Sequence, residues 1–335
     1  MDSLTHIVLG AAVGELAGGR RLGKSAMIFG ALTQSVPDID FLTFLWMNPA
    51  EDLLAHRGFT HSILFLVMIT PCLSLAAKRW LPDRDYSFQQ WIFFFGVQLV
   101  IHDFLDAFNA YGTGWFEPFS HSRISFQALF VVDPFFSVGP ALALTALFFL
   151  KKADLMRMKW AIAGLIAGIL YLGYAIFNKV SIDNAVKVSL AAQHIPYSRF
   201  LTTPTPLNNW LWWVVAESER GFYVGFRSRF DKQESMDLHF FPKSDSLLDS
   251  VHDHEEVLQL KRFSQGYYTA EKRGDSLVFN DLRFGQNGWD NPKAKFVFNF
   301  YLSHSSQNTM VVQRGRFSNW NNRTTASFIR RIRGN

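Results

Sequence analysis

Apolar residues run in long blocks along roughly the first 180 positions; beyond that they alternate with polar ones, and this change of pattern divides the chain. A membrane-crossing helix needs about 20 apolar residues. Six blocks approach that length: Leu4–Gly18, Ser25–Met47, Phe59–Ala77, Phe88–Phe108, Ala128–Leu150 and Trp160–Phe177. The second contains Pro37, Asp38 and Asp40, so its helix is expected to stop near Val36. After Asn178 the runs shorten to strand length. Trp210–Ala216 and Gly221–Phe230 flank the turn Glu217-Ser218-Glu219-Arg220, and Gly266–Glu271 and Ser276–Phe284 flank Lys272-Arg273-Gly274-Asp275. Each reads as a hairpin. Lys295–Ser303 and Thr309–Gln313 form a further expected pair, and a helical period is expected only over Asp245–Phe263. The expected architecture is an α-helical polytopic membrane bundle of about six segments over residues 1–179, followed by a mainly antiparallel β domain over residues 180–335.

Loop charges add an orientation, because Lys and Arg are retained on the cytoplasmic side. Arg20, Arg21 and Lys24 lie between the first two segments, Lys78, Arg79 and Arg84 between the next pair, and Lys151, Lys152, Arg157 and Lys159 between the last pair. The opposite loops hold Arg57 and Arg123. Both termini, and with them the β domain, are therefore expected outside the cytoplasm. The N-terminal Met1–His6 lacks the basic region of a cleavable signal, so it is expected to be retained. The net charge of +5 is modest and its positions speak for topology rather than nucleic-acid binding. One cysteine, Cys72, excludes an intramolecular disulfide framework and any multi-cysteine zinc site.

This topology collects His6, Asp38, Asp40, His56, His61, His102, Asp106 and Asp133 at one end of the bundle. Ionisable groups at membrane depth are costly without partners, so they mark a candidate site. His102 and Asp106 are four apart on a helix and share a face, about 6 Å apart at Cβ. That geometry suits shared metal ligation. His56 and His61 are five apart and need the turn that Gly58 permits; Thr60 can cap the helix that follows. An extended Asp38-Ile39-Asp40 would place both carboxylates on one side, as metal bridges or as ligand and general base. His6 fits as a further ligand or as an interfacial histidine. Asp133 before Pro134 fits either a ligand or a plain helix cap. Arg57 and Arg123 are candidate clamps for an anionic group, or interfacial anchors. No HExxH, G-x-S-x-G or phosphate-binding loop occurs. His252-Asp253-His254-Glu255-Glu256 reads as the solvated start of a helix. Glu15 lies off the His6 face, nearer the expected cytoplasmic end, and reads as a snorkelling side chain. The basic run Arg330-Arg331-Ile332-Arg333 is left between headgroup contact and disorder.

Met1-Asp2-Ser3-Leu4-Thr5-His6, Pro37-Asp38-Ile39-Asp40, His56-Arg57-Gly58-Phe59-Thr60-His61-Ser62, His102-x-x-x-Asp106 and Tyr111-Gly112-Thr113 together resemble the membrane-bound metal-dependent hydrolases of the YdjM type. The resemblance covers about residues 1–150. It implies a bacterial inner-membrane location, a likeness to zinc-dependent phospholipase C, and metal-site roles for His6, Asp38, Asp40, His56, His61, His102 and Asp106. Histidine plus carboxylate ligands suit one or two zinc ions, and manganese or iron also fits the mixed set. The expected function is hydrolysis by metal-activated water at the outer face of the membrane, on a phosphoester of a lipid-like substrate. An amide or carboxylic ester in a lipid is the alternative bond. A non-enzymatic metal-binding protein of envelope assembly is the alternative class.

Overall fold

The computed structural model describes residues 1–81, 86–251, 253–289, 291, 294–302 and 320–334. Helix α1 (Ser3–Leu22) starts at an Asp2 cap, whose Oδ1 accepts from the Thr5 amide at 3.0 Å. Gly23 ends it at φ 63°, and α2 (Lys24–Gln34) follows at once. Glycines on their facing sides let the two helices touch backbone to backbone. A Cβ at Gly30 would lie 2.0 Å from the Gly10 carbonyl oxygen, and one at Gly14 2.2 Å from that of Ala26. Gly30→Ala is therefore expected to destabilise the protein by about 1–3 kcal/mol, read as a lower unfolding temperature in detergent. Gly173→Ala is the control: its added Cβ meets nothing within 4 Å.

As expected, the second segment leaves α-helix just before Val36. It turns into a 3-10 helix over Pro37–Leu45, followed by the short α3 (Pro49–Ala55). The remaining helices of this half are α4 (Ile63–Trp80), α5 (Phe88–Asp106), α6 (Pro134–Phe149) and α7 (Met156–Ala192). Ser62 caps α4, Ser87 and Gln90 form a capping box on α5, and Asp133 caps α6 with Pro134 in its first turn. Among the described residues, α4 and α7 are long and apolar enough to cross a membrane. Helix α6 is apolar but has 16 residues. Helices α1 and α5 have 20 and 19 residues but carry Glu15, Arg20 and Arg21, and His102, Asp103 and Asp106.

Contacts divide the chain into two compact units, residues 1–45 with 55–176, and residues 46–54 with 177–335. In the first, Leu9 and Val13 of α1 pack with Leu105, Phe108, Leu129 and Phe136. Arg157, counted above as a loop charge, is buried with Glu15. Its Nε donates to Glu15 Oε1 at 2.8 Å, Nη2 donates to Oε2, and Nη1 donates to the Leu147 carbonyl at 2.8 Å. Glu15 thus has a partner that its own helix could not reveal.

In the second unit, β1 (Arg199–Pro204), β2 (Leu211–Glu217), β3 (Gly221–Ser228) and β4 (Leu238–Pro242) form one antiparallel sheet in chain order. Strands β5 (Tyr268–Arg273), β6 (Ser276–Gln286) and β7 (Phe296–Tyr301) form another. Both expected hairpins are present, with Gly274 at φ 62° in the second turn. The expected strand Thr309–Gln313 lies outside the described residues. The helix expected over Asp245–Phe263 is a 3-10 turn followed by α8 (His254–Phe263), and α9 (Asn322–Ile332) lies near the end of the chain. One expectation is corrected. Helix α7 does not stop near Phe177 but runs to Ala192, because Ile182, Val186 and Leu190 fall on one face and bury against Trp212, Val214 and Ala216 of β2.

Candidate metal centre

Four local structures deliver the site's side chains. Helix α5 stacks His102 and Asp106 one turn apart, and α1 carries His6 in its first turn. The Gly58 bend leads into a single 3-10 turn, Phe59–His61, which presents His61. The 3-10 helix after Pro37 presents Asp38 and Asp40. Here the expected extended Asp-Ile-Asp is corrected: with three residues per turn, positions two apart diverge by about 240°. The two carboxylates therefore take different places around His61.

Asp38, His61, His102 and Asp106 each offer a donor atom within 4.8 Å of every other, a group that could hold a metal ion. His61 Nε2 lies 3.1 Å from His102 Nε2, 3.4 Å from Asp106 Oδ2 and 3.7 Å from Asp38 Oδ1. His102 Nε2 lies 3.7 Å from Asp38 Oδ1 and 3.8 Å from Asp106 Oδ2. Metal–donor bonds of about 2.0–2.2 Å imply tetrahedral edges of roughly 3.3–3.6 Å, so these separations fit one ion with little rearrangement. The donor chemistry agrees. Asp40 Oδ2 lies 3.3 Å from His61 Nδ1, which places that ring's proton at Nδ1 and its lone pair at Nε2, toward the cluster. Two carboxylate oxygens and an imidazole lone pair then face one another, an arrangement that a cation stabilises. His61, His102 and Asp106 are completely buried, whereas the Asp38 side chain is 17% exposed and gives the group its contact with solvent.

The remaining sequence candidates stand around this group. His6 Nε2 is 3.0 Å from Asp106 Oδ1, and its ring packs on His102 with centroids 3.8 Å apart. Asp40 accepts from the Arg57 amide at 2.6 Å and from Thr60 Oγ1 at 3.3 Å. His56 Nδ1 lies 3.2 Å from Asp40 Oδ1, and so reaches the cluster through that carboxylate. Arg57 is buried, with Nε 3.0 Å from Asp106 Oδ2 and Nη2 donating to the Met1 carbonyl at 2.8 Å. Arg123 donates from Nη2 to the His56 carbonyl at 2.9 Å, holding the turn that precedes His61. Asp133 stands apart from the cluster. Its Oδ1 caps α6 by accepting from the Phe135 amide at 3.0 Å, and its Oδ2 accepts from Tyr171 Oη at 3.0 Å. The Asp133-Pro134 pair thus takes the capping place. His252 lies outside the described residues; its neighbour Asp253 caps α8. Sequence reasoning passed over Ser3, whose Oγ donates to Asp38 Oδ2 at 3.2 Å, and Asn109, whose Oδ1 accepts from the Tyr111 amide at 2.9 Å. Ser3 lies within the N-terminal motif, so a signal was present.

Electrostatics follow from burial and pairing. Burial alone would raise the Asp38 and Asp40 pKa values, but hydrogen bonds and charges from His61, with His102 at Asp38 and His56 at Asp40, hold both carboxyls well below the usual carboxylate range. Burial would lower His61, but its close pairing with the Asp38 and Asp40 carboxylates outweighs that and raises it. Without an ion, the protonated His61 therefore stabilises the fold at acid pH, and that contribution fades as pH rises through its elevated pKa. A metal ion needs the neutral ring. The unfolding-temperature gain from added zinc or manganese, relative to a chelator, is expected to increase as pH rises from about 6 to 8. A gain that shrinks over that range would contradict ligation by His61.

Residues 1–182 match the family model described as YdjM inner membrane protein. The uncharacterized protein YfhP of Bacillus subtilis (strain 168) is 33% identical over 149 residues, covering 42% of this chain and 44% of YfhP. The inner membrane protein YbcI of Escherichia coli (strain K12) is 28% identical over 122 residues, covering 36% of this chain and 69% of YbcI. The match thus spans less than half the length of YfhP. No solved structure matches.

Proposed function

For this chain, which belongs to the YdjM inner membrane protein family, we propose that residues 1–179 act as a membrane-embedded metal-dependent hydrolase on a lipid-like substrate. The observation that carries this reading is the convergence of His61, His102, Asp106 and Asp38 at ligand–ligand separations, with Asp38 reaching solvent. A divalent ion held there, zinc or alternatively manganese or iron, would polarise a substrate oxygen and lower the pKa of a water. His61 is oriented for that ion by Asp40, and Asp106 is held by His6 and Arg57. Asp38, the least buried of the four, is placed to accept the proton of an attacking water. Arg57 and Arg123 fix the loops around the cluster, and Arg123 is the better placed of the two to meet an anionic headgroup, since Arg57 is buried.

The lipid character of the substrate is supported by the apolar surface beside the carboxylates. Ile39, Phe41, Phe44 and Leu45, on the 3-10 helix that carries Asp38, are all exposed, as are Leu4, Phe59 and Ile63. Exposed apolar clusters of this kind mark membrane or ligand contacts. A phosphoester is the first choice of bond, and an amide or carboxylic ester the alternative. The six-segment, extracytoplasmic arrangement belongs to this proposal. It is supported by Arg20, Arg21, Lys24, Lys78, Arg79, Lys151, Lys152 and Lys159; Arg157 drops out of that count because it is buried against Glu15. Arg84 lies outside the described residues. Reporter fusions at Gly23, Lys152 and the C-terminus test it, and a cytoplasmic C-terminus would refute it.

One observation favours a non-enzymatic reading. Four protein donors complete a tetrahedral zinc shell, the arrangement of structural sites, whereas catalytic sites keep an open position. The experiment that decides is incubation of metal-loaded protein with bacterial phospholipids, following released phosphate-bearing headgroups. Release that falls by about 100-fold or more in Asp38→Asn supports the hydrolase. Stoichiometric metal with no cleavage of any lipid phosphoester, ester or amide leaves the binding protein.

A further inference from the structure

The second unit carries a basic, apolar-tipped surface that neither the metal centre nor the family match accounts for. The apolar run of α7 ends at Phe177, and Asn178 begins its polar continuation. Asn178 Nδ2 donates to both the carbonyl and the Oδ1 of Asn209 at 3.1 Å. The next residue, Trp210, accepts at its carbonyl from the Arg229 amide at 2.7 Å. The Arg229 guanidinium lies 5.5 Å from the Phe177 ring centroid. These bonds fix the loops around residues 207–210 and 229–232 at the level where α7 leaves its apolar segment.

Helix α9 is fastened at this same place. Arg331 forms a two-armed pair with Asp231 at 2.6 and 2.9 Å and donates to the Phe226 carbonyl at 2.7 Å. Ser228 Oγ donates to the Ile332 carbonyl. Phe328 turns inward and is buried, while Ile329 and Phe230 are exposed, as are Phe177 and Leu207. Arg229 and Lys232 on the same loop as Phe230, and Arg330 and Arg333 on and just after α9, are exposed as well. Of the acids on this loop, Asp231 is engaged by Arg331, and Glu234, whose carbonyl accepts from Arg227, is exposed two residues beyond Lys232. The acidic Asp237 lies next to Met236, whose amide and carbonyl bond to Ser189 of α7 and to Gln193 just beyond its end. At 1.5 Å per residue that is roughly 16–22 Å farther along the helix from Asn178, so basic side chains outnumber acids on the loops and helix beside Phe177.

We propose that this surface, formed by Phe230, Ile329, Arg229, Lys232, Arg330 and Arg333, docks on the anionic phospholipid headgroups of the leaflet from which α7 emerges. Basic side chains near such a surface are attracted by its negative potential, and apolar tips beside them enter the headgroup boundary. The occupant is a lipid surface because α7 itself brings the bilayer to this level and the charge is complementary to it. The inference does not depend on the metal centre.

The test uses the full chain with Cys72→Ser and Ile329→Cys, a nitroxide at position 329, and bilayer nanodiscs containing phosphatidylglycerol or phosphatidylcholine alone. Accessibility of the label to a water-soluble nickel chelate is expected to be about tenfold lower in the anionic discs at 0.1 M salt. The difference should largely vanish at 1 M salt, where the Debye length falls from about 10 to 3 Å. Adding Arg330→Gln and Arg333→Gln, which leaves the Arg331–Asp231 pair intact, should bring the anionic-disc value close to that in phosphatidylcholine. Equal accessibility in the two lipids, whether high or low, would overturn the proposal, and so would a lipid difference that persists in high salt.

Discussion

His61→Ala is expected to abolish stoichiometric metal binding, leaving purified protein with less than about one tenth of the wild-type ion. His61 faces each of the other three candidate ligands at 3.1–3.7 Å, so its removal opens the group from the centre. Asp106→Ala is expected to do the same and also to free His6 and Arg57, which it now engages. Asp40→Asn is the graded comparison. It touches His61 on the ring nitrogen away from the cluster, and such supporting carboxylates typically contribute about 10–100-fold in metal affinity. Elemental analysis of the three variants beside wild type reads the order. Full metal retention in His61→Ala would remove the basis of the centre. Loss in Asp40→Asn as complete as in His61→Ala would make Asp40 a ligand rather than the group that orients one.

Arg157→Met is expected to cost about 3–5 kcal/mol, because it strands the Glu15 carboxylate in a buried place. That is a large share of the roughly 5–15 kcal/mol that holds a typical domain together. The pair joins α1 to the start of α7, and Arg157 also satisfies the Leu147 and Leu150 carbonyls at the end of α6. Replacing both partners, Glu15→Leu with Arg157→Met, is expected to recover most of the loss, since a buried pair exchanged for apolar residues is often neutral. Unfolding curves in detergent for the two single variants and the double variant form the cycle that measures the coupling. Equal, small losses in all three would show the pair to be exchangeable packing. Its burial also corrects how orientation is read. A charge that sits inside the bundle reports nothing about the loop, so in the loop before α7 the proposed orientation rests on Lys151, Lys152 and Lys159 alone.

The family match covers residues 1–182, which contain every candidate ligand. The β-rich unit lies almost entirely beyond that match. Whatever it contributes is therefore particular to chains that carry it, and the basic surface near α9 is the part of it with a stated chemistry.

The sequence by itself determined most of the local elements and the residue types that make up the candidate site. Apolar blocks marked α4 to α6 because burial in lipid or core requires them. The break at Pro37 was legible because proline restrains the residue before it. The two hairpins were legible because a short turn forces neighbouring strands to pair. His102 and Asp106 were recognisable as a pair because helical spacing alone brings them together. What depended on contacts between distant segments was left to tertiary structure. That Asp38 enters the cluster while Asp40 supports His61 from behind follows from a 3-10 turn, which local pattern did not distinguish from extended chain. That Asp133 caps a helix and meets Tyr171 depends on how α7 packs beside α6. The partnership of Glu15 with Arg157, 142 positions away, and the continuation of α7 onto a sheet have the same origin. In each, the deciding energy is the cost of burying a charge or an apolar face without its partner, and that partner is chosen only when the chain closes on itself.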